Sequence, residues 1–200
     1  MPLALMSSDQ PSKVAFVSGH RQRSERQMAE SWKQPRIGLV CASRHHGNTL
    51  RIADAMGAAL NAEIMTTDAA LHSGLDRFDL VGFGSGIYFG RHDRRLLRLV
   101  ETLTVLPKAV LIFSTAGLPW LSPASHWPLR RRLKRCGCRI LGEFSCAGYD
   151  TVGPLAWIGG LNCGRPDAAD CNRSRQFAAE VLRKISPQEC PVLSPSGADR

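Results

Sequence analysis

From Arg36 onward the chain alternates short apolar runs with longer segments whose apolar residues recur every three or four positions. "RIGLVCA" (36–42), "FDLVGFGSG" (78–86) and "KAVLIFST" (108–115) are near-continuous apolar runs, the pattern of strands buried on both faces. "AEIMTT" (62–67) and "RILGEFSCAG" (139–148) complete a set of five strands. Residues 49–60 space Ile52, Met56 and Leu60 four apart, so they form a helix with one inward stripe. Two more helices are predicted at 93–104, with Leu96, Leu97, Val100 and Leu103 on one side, and at 167–185, with Phe177, Val181, Leu182 and Ile185. A basic helix lies near 126–136. Strands alternating with helices predict an α/β fold: a doubly wound, five-stranded parallel sheet with helices on both faces and right-handed crossovers.

The ends lack this pattern. Residues 1–35 mix Ser, Gln, Arg and Pro without periodicity and are expected to be poorly ordered, as is the tail 186–200 with its three prolines. Met28 opens "MAESWKQPRIGLV" just before the first strand, so the native product is expected to begin there. No apolar run approaches the roughly 20 residues of a membrane helix, and the first ten residues do not read as a secretory signal.

In an open parallel sheet, ligands bind outside the carboxyl ends of the strands. The loops at those ends are the unusual ones: "SRHHGNT" (43–49), "GSGIYFGRHD" (84–93), "STAGLPWLSPASHWP" (114–128) and "GYDTVGPLAWIGGLNCGRP" (148–166). In the first, a helix starting near Asn48 presents unpaired N–H groups and a partial positive charge. Ser43 and Thr49 add hydroxyls, Asn48 an amide, and Gly47 backbone freedom, which together suit a phosphate. The loop lacks the lysine and first glycine of a Walker A sequence, and it is not the dinucleotide GxGxxG pattern.

Ser43-Arg44-His45-His46-Gly47-Asn48-Thr49 resembles the phosphate loop of flavodoxins, [ST]-x-[ST]-G-N-T, with one extra residue before the glycine. The loops at 84–96, 113–119 and 148–167 resemble the same family in the same order, so the likeness covers residues 36–185. It implies strand order 2-1-3-4-5 and a noncovalent FMN. The phosphate would lie on Ser43, His45, His46, Gly47, Asn48 and Thr49. The ring would lie between Ser85, Gly86, Ile87 and Tyr88 on one side and Ser114, Thr115 and Gly117 on the other. Tyr88 either stacks on the ring or packs under its loop, and Trp120 and Trp127 either cover the site or anchor loops. His46 stands where a phosphate hydroxyl is usual, and its ring N–H can donate the same bond.

The resemblance implies an electron carrier, with an FMN-dependent oxidoreductase acting on a quinone or protoporphyrinogen as the alternative. The formal net charge of +9 departs from typically acidic flavodoxins. The densest basic run, "RRRLKR" (130–135), is either a solvated helix face or a docking surface for an acidic redox partner. No nucleic-acid module accompanies it.

Seven cysteines at no disulfide-scaffold spacing point to reduced thiols in a cytoplasmic protein. "CGC" (136–138) reads as a glycine turn between packing cysteines. Cys146 and Cys163 fall near the ligand edge, where a thiol–flavin pairing is conceivable. No metal is expected at His45 and His46. His92 and His126 read as exposed loop histidines or, less ordinarily, as proton donors to a flavin.

Overall fold

Buried strands alternating with amphipathic helices give the expected layers. The computed structural model describes residues 34–44, 47–150 and 160–185. Residues 1–33 of the expected extension, His45, His46 and the tail 186–200 lie outside that description. The elements run β1 (Ile37–Ala42), α1 (Asn48–Leu60), β2 (Glu63–Met65), α2 (Thr67–Ser73), β3 (Leu80–Tyr88), β4 (Arg91–His92) and α3 (Arg94–Thr102). Then follow β5 (Ala109–Ala116), a 3-10 turn (Pro119–Leu121), α4 (Ser122–Arg135), β6 (Arg139–Ala147) and α5 (Ala168–Ile185).

Five strands pair in parallel in the order β2-β1-β3-β5-β6, the expected 2-1-3-4-5 when only parallel strands are counted. The sixth, β4, is an addition. It folds antiparallel onto the end of β3, with Ile87 opposite His92 and Tyr88 opposite Arg91. The two turn residues, Phe89 and Gly90, both have positive φ, as tight hairpins with the native strand twist require.

Each strand divides its side chains between two cores. Leu39, Leu80, Leu111 and Phe113 pack with Ile52 and Met56 of α1 and with Ala178 and Val181 of α5. Val40, Val81, Phe83, Val110 and Ile112 pack with Leu96, Leu99 and Val100 of α3 and with Leu129 and Leu133 of α4. Burying each large apolar side chain contributes about 1.5–3 kcal/mol relative to exposure, so the helix stripes hold both layers on. In α3 the inward set is Leu96, Leu99 and Val100, whereas Leu97 and Leu103 are only partly buried. Gly84 is where the sheet allows no side chain, because a Cβ there would lie 2.0 Å from the Phe113 ring.

Two elements depart from the expected pattern. α2 was not expected: Thr66 caps it by accepting from the Ala69 N–H at 3.2 Å, but only Thr67 and Ala70 are buried. α4 starts at Ser122 rather than near 126, because the 3-10 turn and Pro123 carry the chain directly into it. "CGC" is the glycine turn that ends α4. Gly137, at φ 79, and Cys138 send their N–H groups back to Lys134 and Leu133.

Candidate functional site: a glycine-lined cleft at the carboxyl edge

The cleft forms where β1, β3, β5 and β6 end. Its walls are Asn48 and Thr49 from α1, Gly86 to Tyr88 from β3, Thr115 to Gly117 from β5, and Gly148 to Asp150 after β6. Gly47 caps α1 with φ 66 and no side-chain cap. The first-turn N–H groups therefore face the edge of the sheet, and no acidic residue sits in that turn to occupy them.

Side chains from the loops tie the walls together. The Asn48 amide donates to the Tyr149 carbonyl at 2.7 Å, and the Thr49 and Thr115 hydroxyls pair at 2.8 Å. Asn162 donates to the carbonyls of Gly117 at 2.8 Å and Gly148 at 3.3 Å. The floor needs glycine. A Cβ on Gly86 would lie 2.7 Å from the Tyr88 hydroxyl, because that ring folds back over Gly86, and one on Gly117 would lie 2.9 Å from the Asp150 carboxylate.

Of the residues expected to contact a ligand, Asn48, Thr49, Gly86, Ile87, Tyr88, Thr115 and Gly117 line this cleft, with Gly47 at the helix end. One N–H of the Asn48 amide, a group expected on a phosphate, holds the fourth loop. Ser43 is half-buried at the end of β1. His45 and His46 lie outside the described residues. The side chains of Ser85 and Ser114 are fully buried, and alternation along the strand turns them away from the cleft, towards α3 and α4, so at these two positions only backbone groups can face a ligand there. Gly148, Tyr149 and Asp150, which open the fourth of the unusual loops, line the cleft as well.

On that opposite face Ser85, Ser114 and Ser145 stand side by side in the strand register. His92 Nδ1 lies 2.8 Å from the Ser85 hydroxyl, which also accepts from the Asp93 N–H at 3.0 Å and donates to the Gly86 carbonyl at 2.9 Å. His126 Nε2 lies 2.8 Å from the Ser114 hydroxyl, and its Nδ1 lies 2.9 Å from Glu143 Oε2. Arg130 grips the same carboxylate at 2.5 and 2.6 Å. Ser145 joins Ser114 to Ser122 at 3.0 and 2.5 Å. The two imidazoles stack with centroids 4.9 Å apart.

Neither histidine is therefore an exposed loop residue; they are 3% and 2% exposed. Burial drives the His92 ring down to about 3, helped by the neighbouring His126. Burial also lowers His126, against the pull of Glu143. Burial disfavours charge on Glu143 and Asp93 as well, yet hydrogen bonds from Arg130 and His126, and from Arg95 and Arg44, hold both carboxyls below their usual range. Arg44 Nε reaches Asp93 at 2.5 Å and so ties the first loop to the cap of α3.

Cys146 is packed among the core residues under α5, where burial and then Asp170 push its thiol up to about 12, while Cys163 is exposed. Among the described residues no cluster of three metal-ligating side chains occurs, and no helix is long and apolar enough to cross a membrane. Trp120 and Trp127 are exposed, and Arg131 lies over the Trp127 ring at 5.2 Å. Beside the cleft, Ile87, Phe89, Leu118, Leu121 and Leu161 line an apolar groove of about 420 Å³.

Comparison with known proteins agrees with this arrangement. A family model described as a flavodoxin domain matches residues 39–135. An uncharacterized protein of Methanocaldococcus jannaschii, MJ0298, is 41% identical over 145 residues, which are 72% of this chain and 97% of that protein. Oxidised flavodoxin 2 from Bacillus cereus superposes with a TM-score of 0.56 at 18% identity, covering 74% of this chain and 99% of that one. Rubredoxin:oxygen oxidoreductase from Desulfovibrio gigas gives a TM-score of 0.56 at 14% identity over 86% of this chain, which spans only 41% of that longer protein.

Proposed function

The chain belongs to the flavodoxin-like family, and from that premise we propose that the cleft holds FMN and that the protein transfers electrons between partners. One observation carries the reading: the uncapped, acid-free start of α1 opens into a glycine-floored cleft at the point where the strand order reverses. The donor set suits a planar cofactor bearing a phosphate. The α1 N–H groups and the Ser43 hydroxyl would receive the phosphate. The glycine-containing strand ends would take the ring edge, with Tyr88 beside it.

FMN, when bound, supplies the redox chemistry. The chain's own work is to bind and orient it. The Thr49–Thr115 pair leaves one hydroxyl hydrogen for the ligand, whichever oxygen donates within the pair. The Asn48–Tyr149 bond keeps the fourth loop against the first. Arg91, Arg94 and Arg98 beside α3, with Arg131, Lys134 and Arg135 of α4, are all exposed and offer an acidic redox protein a positive docking face.

The test is reconstitution. Purified protein titrated with FMN should quench flavin fluorescence with one-to-one stoichiometry and accept electrons from a reductant. A protein that leaves FMN fluorescence unchanged at micromolar concentration would overturn the reading. The apolar groove beside the cleft favours a second reading, direct oxidation or reduction of a hydrophobic small molecule such as a quinone or protoporphyrinogen. Steady-state turnover of such a compound without any partner protein would establish it.

A further inference from the structure

Behind the cleft lies a closed polar layer that the redox reading does not use, and its hydrogen bonds decide its protonation. The Ser85 hydroxyl has one hydrogen, which goes to the Gly86 carbonyl, and it accepts from the Asp93 N–H. His92 therefore donates to it from Nδ1, leaving Nε2 as a bare lone pair. That nitrogen is buried and has no hydrogen-bond partner among the described residues. His126 differs: both of its ring nitrogens have partners, Glu143 at Nδ1 and the Ser114 hydroxyl at Nε2.

A proton on His92 Nε2 would be a buried cation without an acceptor, stacked on a second imidazole. The groups that face the pair come from every packed element: Ser85 from β3, Ser114 from β5, Glu143 and Ser145 from β6, Ser122 and Arg130 from α4, and Asp93 beside His92. The two carboxylates are already engaged, Glu143 by Arg130 and His126, and Asp93 by Arg44 and Arg95. Among the described residues no acceptor is left for a second proton.

His92 is also the residue that closes the β3–β4 hairpin, opposite Ile87 of the cleft wall. We propose that His92, seated on Ser85 and stacked on His126, is a positioning residue that holds the cleft-lining hairpin closed only while its ring is uncharged, so that acid loosens the grip on the cofactor. The inference rests on the FMN reading for its ligand, but the hairpin and its histidine can be followed without FMN. A ring that titrates at 6.5 in an open hairpin and at about 3 in the closed one makes opening up to about tenfold easier per pH unit below 6.5, and binding weakens by the same factor once the FMN-free hairpin opens.

FMN titrations of the full chain and of His92→Asn, whose amide can still donate to Ser85, provide the test. Below the pH at which the wild type's ring takes up its proton, wild-type affinity should fall by up to about tenfold per pH unit more than the variant's. Groups common to both proteins and the cofactor phosphate cancel in that ratio. Equal losses would overturn the proposal. Ring and amide NMR of the FMN-free wild type gives the independent readout. His92 should be a neutral Nδ1–H tautomer at neutral pH, and the amides of Ile87, Tyr88 and Asp93 should shift together with its titration well below 6.5. A ring titrating near 6.5 with those amides unmoved would overturn the latch, whether or not the variant folds. Failure of the wild type to bind FMN at neutral pH, with the NMR outcome as expected, would remove the ligand assignment and leave the latch standing.

Discussion

The two faces of the sheet at its carboxyl edge are built from the same strands and do opposite things. On the α1 and α5 side, Gly86, Thr115 and Gly148 leave an open cleft edged by backbone groups. One residue away on the α3 and α4 side, Ser85, Ser114 and Ser145 are filled by His92, His126 and Ser122 until almost every polar atom is paired. The difference shows how a parallel strand, buried on both faces, can serve recognition and rigidity at once. Small residues at even steps make room, and polar residues at odd steps are locked by partners from the helices.

Acid should separate the faces most strongly. In the unfolded chain His92 takes up a proton below 6.5, but in the fold only near 3, so the unfolded state binds more protons across that window. Stability is therefore present above 6.5 and falls as pH drops, by about 1.4 kcal/mol per pH unit for each such proton. His126 shifts the same way, and Glu143 and Asp93, both depressed, add losses as pH falls through the carboxylate range. Urea unfolding across that range should show a steep decline, and a flat profile would remove the contrast between the faces.

The next largest effect is expected from His126→Phe, which takes one partner each from Glu143 and Ser114 in the back layer. It should cost about 2–4 kcal/mol in urea unfolding while leaving FMN affinity at neutral pH nearly intact. Gly86→Val is the mirror test on the front. Its Cβ would displace the Tyr88 ring at the cleft floor, which should weaken FMN binding roughly 10- to 100-fold by fluorescence titration at a smaller cost in stability. If it lowers stability by as much as it lowers affinity, the cleft is not a separate layer.

The smallest effect concerns the exposed cations. Arg131→Glu with Arg135→Glu should slow reduction by an acidic partner at low salt and leave FMN binding unchanged. The difference should fade at physiological salt, where the Debye length is about 8 Å.

The apolar runs made β1, β3 and β5 legible, and the spacing of Ile52, Met56 and Leu60 made α1 so, because both patterns follow from large buried areas. α2 was not legible: seven residues with two inward ones carry almost no period. The cleft's glycines and loops could be read from their place after each strand. The faces of Ser85 and Ser114 could not. In a strand apolar on both sides, alternation tells which residues share a face but not which helices cover it. The histidines were misread for a related reason, since a loop-like surrounding sequence hides the burial that β4 and α4 impose on His92 and His126.

The Asn48–Tyr149 bond joins residues 101 positions apart. A nascent chain that has produced the first loop therefore still lacks the partner that seats it, and the cleft is complete only after β6 has left the ribosome. Cofactor capture is in this sense a late checkpoint on synthesis: a chain truncated before the fourth loop would keep the phosphate-loop sequence and still be unable to retain the ligand.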